Sequence, residues 1–90
     1  ASYLVVPASV LERLGVARGP RREFVLGDGR RVALSIGVVD VQIDGQRLPT
    51  ICVFGEERTE PLLGAVTLEQ FGLGVDPLGR RLIPVPGYLV

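Results

Sequence analysis

The apolar positions of this chain change period along its length, and each change marks an element. Tyr3-Leu4-Val5-Val6 is a continuous apolar run closed by Pro7, which predicts a strand from Ser2 to Val6. Ser9 with Glu12 three residues on has the spacing of a capping box. Gly15 suits the left-handed residue that ends a helix, so a short helix is expected over residues 9–14. Ala17-Arg18-Gly19-Pro20 reads as a loop. Two extended runs, Glu23 to Leu26 and Arg30 to Leu34, then flank Gly27-Asp28-Gly29, a strong short-range signal for a hairpin. Beyond it the apolar residues alternate through Val32, Leu34, Ile36 and Val38, and resume one position out of phase at Val39, Val41 and Ile43. With Gly37 beside the slip, a β-bulge or sharp bend in one long strand is expected. Asp44-Gly45 predicts a second hairpin turn, and Arg47 to Phe54 the returning strand.

The second half is organised around Glu60 to Pro77. Leu62-Leu63 reads as a buried strand end and Gly64 as a bend. Thr67 with Gln70 has capping-box spacing, and Gly72 fits a helix terminus. The helix between them, over residues 66–71, is too short to stand alone in water and must be held by its neighbours. A strand through Leu73-Gly74-Val75 follows, then the turn Asp76-Pro77-Leu78-Gly79, a return strand over residues 80–84 and a tail. This half echoes the first. Val10-Leu11-Glu12-Arg13-Leu14-Gly15-Val16 lies over Thr67-Leu68-Glu69-Gln70-Phe71-Gly72-Leu73, with Leu, Glu and Gly coinciding and a hydrophobic run before each copy. The sum is a mostly β domain of about seven short strands and two short helices.

Composition narrows the function. Ninety residues at 47% hydrophobic make one domain with one core, spanning residues 1–90. Ten basic and ten acidic residues cancel, so no overall field draws nucleic acid or an anionic membrane. No apolar run approaches the roughly 20 residues that cross a bilayer, and neither nucleic acid nor membrane is expected as a partner. The absence of histidine removes Ser-His-Asp and Cys-His catalysis and histidine-containing zinc sites; a single cysteine removes four-cysteine sites. No metal and no cofactor are expected. Cys52, inside Thr50-Ile51-Cys52-Val53-Phe54, reads as a buried thiol, and its solitude favours a reducing, cytoplasmic setting. Asp28, Asp44 and Asp76 are explained by turns and Asp40 by an exposed strand position. The arginine pairs at 21–22, 30–31 and 80–81 read as solvated strand edges.

Taken in order, these pieces resemble the retropepsin-like aspartic proteases, the single-lobe relatives of pepsin. Ala1-Ser2-Tyr3-Leu4-Val5-Val6-Pro7 looks like the continuation of that family's catalytic Asp-Thr/Ser-Gly motif. The hairpin around Gly27-Asp28-Gly29 is similar to its flap, and Leu62-Leu63-Gly64 to the paired-hydrophobic-glycine motif that supports the catalytic loop. The resemblance runs over residues 1 to 84. It implies a small closed barrel or folded sheet with an internal pseudo-twofold, which would also explain the echo.

The resemblance further implies an endopeptidase in which a water is activated by two aspartates, one from each chain of a homodimer. It assigns substrate contacts to Ala1, Ser2, Leu26, Gly27, Asp28 and Gly29, and support of the catalytic loop to Leu62, Leu63 and Gly64. No Asp-Thr-Gly or Asp-Ser-Gly occurs in these residues. The resemblance puts that aspartate three residues before Ala1, so these 90 residues carry no catalytic residue and are expected to be an inactive fragment. Two other readings stay open: a non-catalytic peptide-binding or dimerisation module on the same fold, and an unrelated small β-barrel that binds a ligand or RNA.

Overall fold

The computed structural model describes residues 3–87 and Leu89. Six strands and two helices follow in the order β1 (Leu4–Pro7), α1 (Ala8–Arg13), β2 (Arg21–Val25), β3 (Arg31–Ile43), β4 (Gln46–Gly55), α2 (Ala65–Gln70), β5 (Leu73–Asp76) and β6 (Arg81–Pro84). The chain is mostly β, as the pattern predicts, with six strands rather than seven among the described residues. A mixed four-stranded sheet has the order β1-β4-β3-β2, and β5 and β6 form a separate antiparallel pair. The described strands do not close into a barrel.

Direction explains the connections. β2, β3 and β4 are successive antiparallel neighbours, while β1 lies parallel to β4 with Leu4 opposite Cys52 and Pro7 opposite Gly55. β1 and β2 therefore run the same way on opposite edges of the sheet. A tight turn cannot join them, and α1 with the loop after it carries the chain back. The predicted hairpins form where glycine allows a left-handed backbone: Gly29 has φ +88°, and Asp44 and Gly45 have φ +50° and +77°. Positive φ at both central residues is the requirement of a type I′ turn.

The core lies between α1 and the β1–β4 pair. Leu4, Leu11, Cys52 and Phe54 are buried together, with Val6, Ala8, Val16, Val39 and Val41 packed around them. Arg18 covers its rim. Its guanidinium lies 4.7 Å from the centre of the Phe54 ring, donates to the hydroxyl of buried Ser35 at 3.4 Å and pairs with Glu12 at 2.5 Å. One side chain thus ties α1, β3 and β4 together through cation–π and charge-assisted contacts.

The phase slip in β3 is real, but its cause is not a bulge. Residues 31–35 pair with β2 and residues 36–43 with β4, each in unbroken register. The strand changes partner at Ser35–Ile36, and its buried side changes with it. Gly37 sits at that point because a β-carbon there would lie 2.8 Å from the Ala17 carbonyl oxygen and 3.0 Å from the Phe54 ring. Pro49, inside β4, is tolerated because β1 covers only Cys52 to Gly55 and leaves the Pro49 edge free.

Neither predicted capping box forms. The helices start one residue earlier than expected, after Pro7 and Gly64, and neither has a side-chain cap. The Ser9 amide donates instead to the Glu57 carboxylate at 3.1 Å, and the Gln70 side chain to the Pro49 carbonyl at 2.5 Å. Thr67 lies within α2 and is buried. Both helices stop as predicted, on glycines in the left-handed region, Gly15 at φ +77° and Gly72 at φ +67°.

The sequence echo is also an echo of structure. At one constant offset in sequence Ala8–Arg13 corresponds to Ala65–Gln70 and Gly15 to Gly72. Leu14 donates to the Val10 carbonyl at 3.1 Å and Phe71 to the Thr67 carbonyl at 3.2 Å; Gly15 and Gly72 donate to Glu12 and Glu69 at 3.0 Å each. Val5 and Leu62, equivalent at the same offset, pair with each other in antiparallel sense, amide to carbonyl both ways at 2.9 Å. Burial breaks the likeness, since Phe71 is buried and its counterpart Leu14 exposed.

Gly37→Ala should lower unfolding free energy by about 1–3 kcal/mol, because the added carbon overpacks a backbone contact. Gly27→Ala, where a β-carbon meets nothing within 4 Å, should stay within about 0.5 kcal/mol of the parent. Urea midpoints for the three proteins check both; equal midpoints would mean that the Gly37 contact is loose in solution.

Candidate functional site

A cleft lies between the β2–β3 hairpin and the β1–β4 pair. β2 pairs only with the first part of β3, so the hairpin stands clear of β4 and faces the side chains of β1 across a gap. The gap has a volume of about 540 Å³, within the range of small-ligand and peptide side-chain sites. Its walls are Tyr3 and Val5 on one side and Phe24, Val25, Leu26 and Gly27 of the hairpin on the other. Leu34 and Val53 form the floor, and Leu62 closes it beside Val5. Gly55, Glu56 and Thr59, at the end of β4 and in the loop after it, complete the lining.

The cleft is apolar with few polar groups. Arg22 lies over the rings of Tyr3 and Phe24, 5.7 Å from each centre, and points a guanidinium N–H at the Tyr3 hydroxyl at 3.4 Å. At the hairpin tip, Asp28 accepts hydrogen bonds from the Arg30 amide at 3.0 Å and from its Nε at 2.8 Å. The side-chain bond from Arg30 holds the Asp28 carboxyl below the ordinary aspartate range, and the same bond raises the Arg30 guanidinium. A second, longer contact runs from Arg30 to Glu56 at 3.6 Å, joining the hairpin to the loop after β4.

Other titratable groups serve the scaffold. Hydrogen bonds from Ser9 hold the Glu57 carboxyl low, and burial pushes the Cys52 thiol up, away from the reactive thiolate. Asp40 is exposed on β3, Asp44 sits in its turn, and Asp76 accepts from the Leu78 amide at 3.1 Å and faces Arg81. None of these lines the cleft, and Glu56 is its one carboxylate among the described residues. No three His, Cys, Asp or Glu side chains converge among the described residues. No helix there is long and apolar enough to cross a membrane.

The expected site residues separate into three groups. Leu26 and Gly27 line the cleft, whereas Asp28 and Gly29, at the turn itself, do not. Leu62 both lines the cleft and pairs with Val5; it and Leu63 are half exposed rather than buried, while Gly64 is buried beneath them. Ala1 and Ser2 lie outside the described residues. Sequence reasoning missed Glu56 and Thr59. The available signal was their position directly after Gly55, where β4 emerges beside the hairpin. Searches against family models, curated proteins and solved structures find no match to this chain.

Asp28 contributes stability above its unfolded-state pKa, and that contribution is lost as pH falls through its lower folded-state value. Arg30→Gln should therefore raise the Asp28 titration midpoint, read from its carboxyl ¹³C shift. A midpoint that stays put would show that the pair does not form in solution.

Proposed function

We propose that this chain is the substrate-holding scaffold of a retropepsin-like aspartic endopeptidase. The observation that carries the reading is the reciprocal Val5–Leu62 pair. It joins equivalent points of two strand-to-helix units directly beside an apolar cleft roofed by a hairpin. A folded sheet with an internal pseudo-twofold, the arrangement such a lobe needs, accounts for that pairing and for the matched helices. Leu26 and Gly27 are the part of the hairpin that would close on a substrate, and Ala1 and Ser2 would lie along the peptide backbone.

The chemistry would be hydrolysis by two carboxylates that share one proton and hold a water between them. Two such charges about 3 Å apart cannot both ionise easily, so one stays protonated to hydrogen-bond the peptide carbonyl while the other takes the water's proton. Each single-lobe chain supplies one aspartate, so a complete site needs a symmetric homodimer. The peptide would lie extended and pair with backbone like an added strand. Among the described residues Glu56 is the only cleft carboxylate, and the sequence contains no Asp-Thr/Ser-Gly. That absence favours, as the second reading, a module that binds peptides without cutting them.

The two readings part in one experiment. A mixed peptide library is incubated between about pH 3 and pH 8, a span covering both dyad ionisations, with the 90-residue chain and with the same chain extended upstream by a strand ending in Asp-Thr-Gly. The short chain should not cleave at any pH. The extended chain should cleave at acid pH, with activity that falls more steeply than its concentration as dimers dissociate. Cleavage by the short chain would overturn the catalytic assignment, and an extended dimer that binds but never cuts would favour the module.

A further inference from the structure

We infer that the cleft selects peptides carrying a basic side chain among apolar ones, and that Glu56 makes the selection. The inference rests on the reading of the cleft as a peptide site and adds to it a charge preference.

Every other side chain lining the cleft is apolar or uncharged, so Glu56 is its only fixed charge among the described residues. Arg30 is the cation that faces it, shared between two carboxylates. Its Nε is bound to Asp28 at 2.8 Å, and the contact to Glu56, at 3.6 Å, is longer than a hydrogen bond. The three groups Asp28, Arg30 and Glu56 therefore leave one negative charge uncompensated at the cleft. Glu56 keeps acceptor positions open to solvent, its side chain being 48% exposed.

A peptide entering the cleft displaces that water. Against an apolar side chain, the Glu56 carboxylate loses hydration and gains nothing. Against an acidic one it is also repelled. Against lysine or arginine it regains a charge-assisted partner in surroundings drier than bulk water. The discrimination thus comes as much from rejecting the wrong side chain as from attracting the right one.

The test uses acetylated octapeptides of valine and leucine that differ at one internal position, with lysine, glutamine or glutamate scanned through the sequence. Binding to the 90-residue chain is followed by NMR titration. At the favoured position the lysine peptide should bind roughly three- to tenfold more tightly than the glutamine peptide, and the glutamate peptide more weakly than both. Glu56→Gln, a change at an exposed site, should erase the lysine preference, so that lysine and glutamine peptides bind alike. Arg30→Gln should enlarge the preference by removing the competing cation, and added salt should shrink it. A lysine preference that survives in Glu56→Gln, or binding with no preference at all, overturns the inference and leaves the peptide site standing. Absence of binding by every peptide overturns both.

Discussion

Cys52 and Val53 are flanked by strand on both edges, and the fold depends on that double pairing. β1 reaches them through Leu4 and Val5, and β3 through Gly37 and Ile36. Their side chains are 0% and 2% exposed. Backbone amides and carbonyls removed from water at this point need strand partners on either side. Supplying a parallel partner from β1 and an antiparallel one from β3 dictates the route of the chain. α1 must cross back, the hairpin must stand outside the β1–β4 pair, and the cleft is what lies between them.

The core that results is thin, which explains why polar ties carry so much of the assembly. Six-residue helices have no independent stability. α1 is held by Leu11 beneath it, by the Ser9–Glu57 hydrogen bond and by the Glu12–Arg18 pair, while α2 is held by buried Thr67 and by the reach of Gln70 to Pro49. The ties at Glu57 and Pro49 come from residues far away in sequence. The helices thus depend on the assembled sheet for their stability.

That dependence decides what could be read from the sequence. Turns and helix ends were legible because their requirement is local: Gly15, Gly29, Gly45 and Gly72 all occupy positive φ where the pattern asks for it. The capping boxes were not, because Ser9 and Gln70 spend their hydrogen bonds on partners that no local window contains. In β3 the phase slip was visible while its cause was hidden, since alternation reports which face is buried and not which neighbour buries it. The site divides along the same line. Leu26 and Gly27 were accessible from the hairpin signal, but Glu56 depends on where β4 emerges relative to that hairpin, a long-range fact. A run of charges looks the same from sequence whether it faces solvent or the mouth of a cleft.

The change of partner within β3 has a mechanical meaning. The ladder to β2 ends at Ser35 and the ladder to β4 begins at Ile36, so the backbone of the hairpin joins the rest of the sheet at one short stretch, its other ties being side-chain contacts such as Arg30–Glu56. A load at its tip is carried as a bending moment to residues 35–37. There Gly37 is wedged between the Ala17 carbonyl and the ring of Phe54, the largest of the fully buried side chains. Part of any deflection of the tip is consequently passed to the core at that point. The stiffness of the arm over the cleft is set at its root, by the packing around a residue that has no side chain.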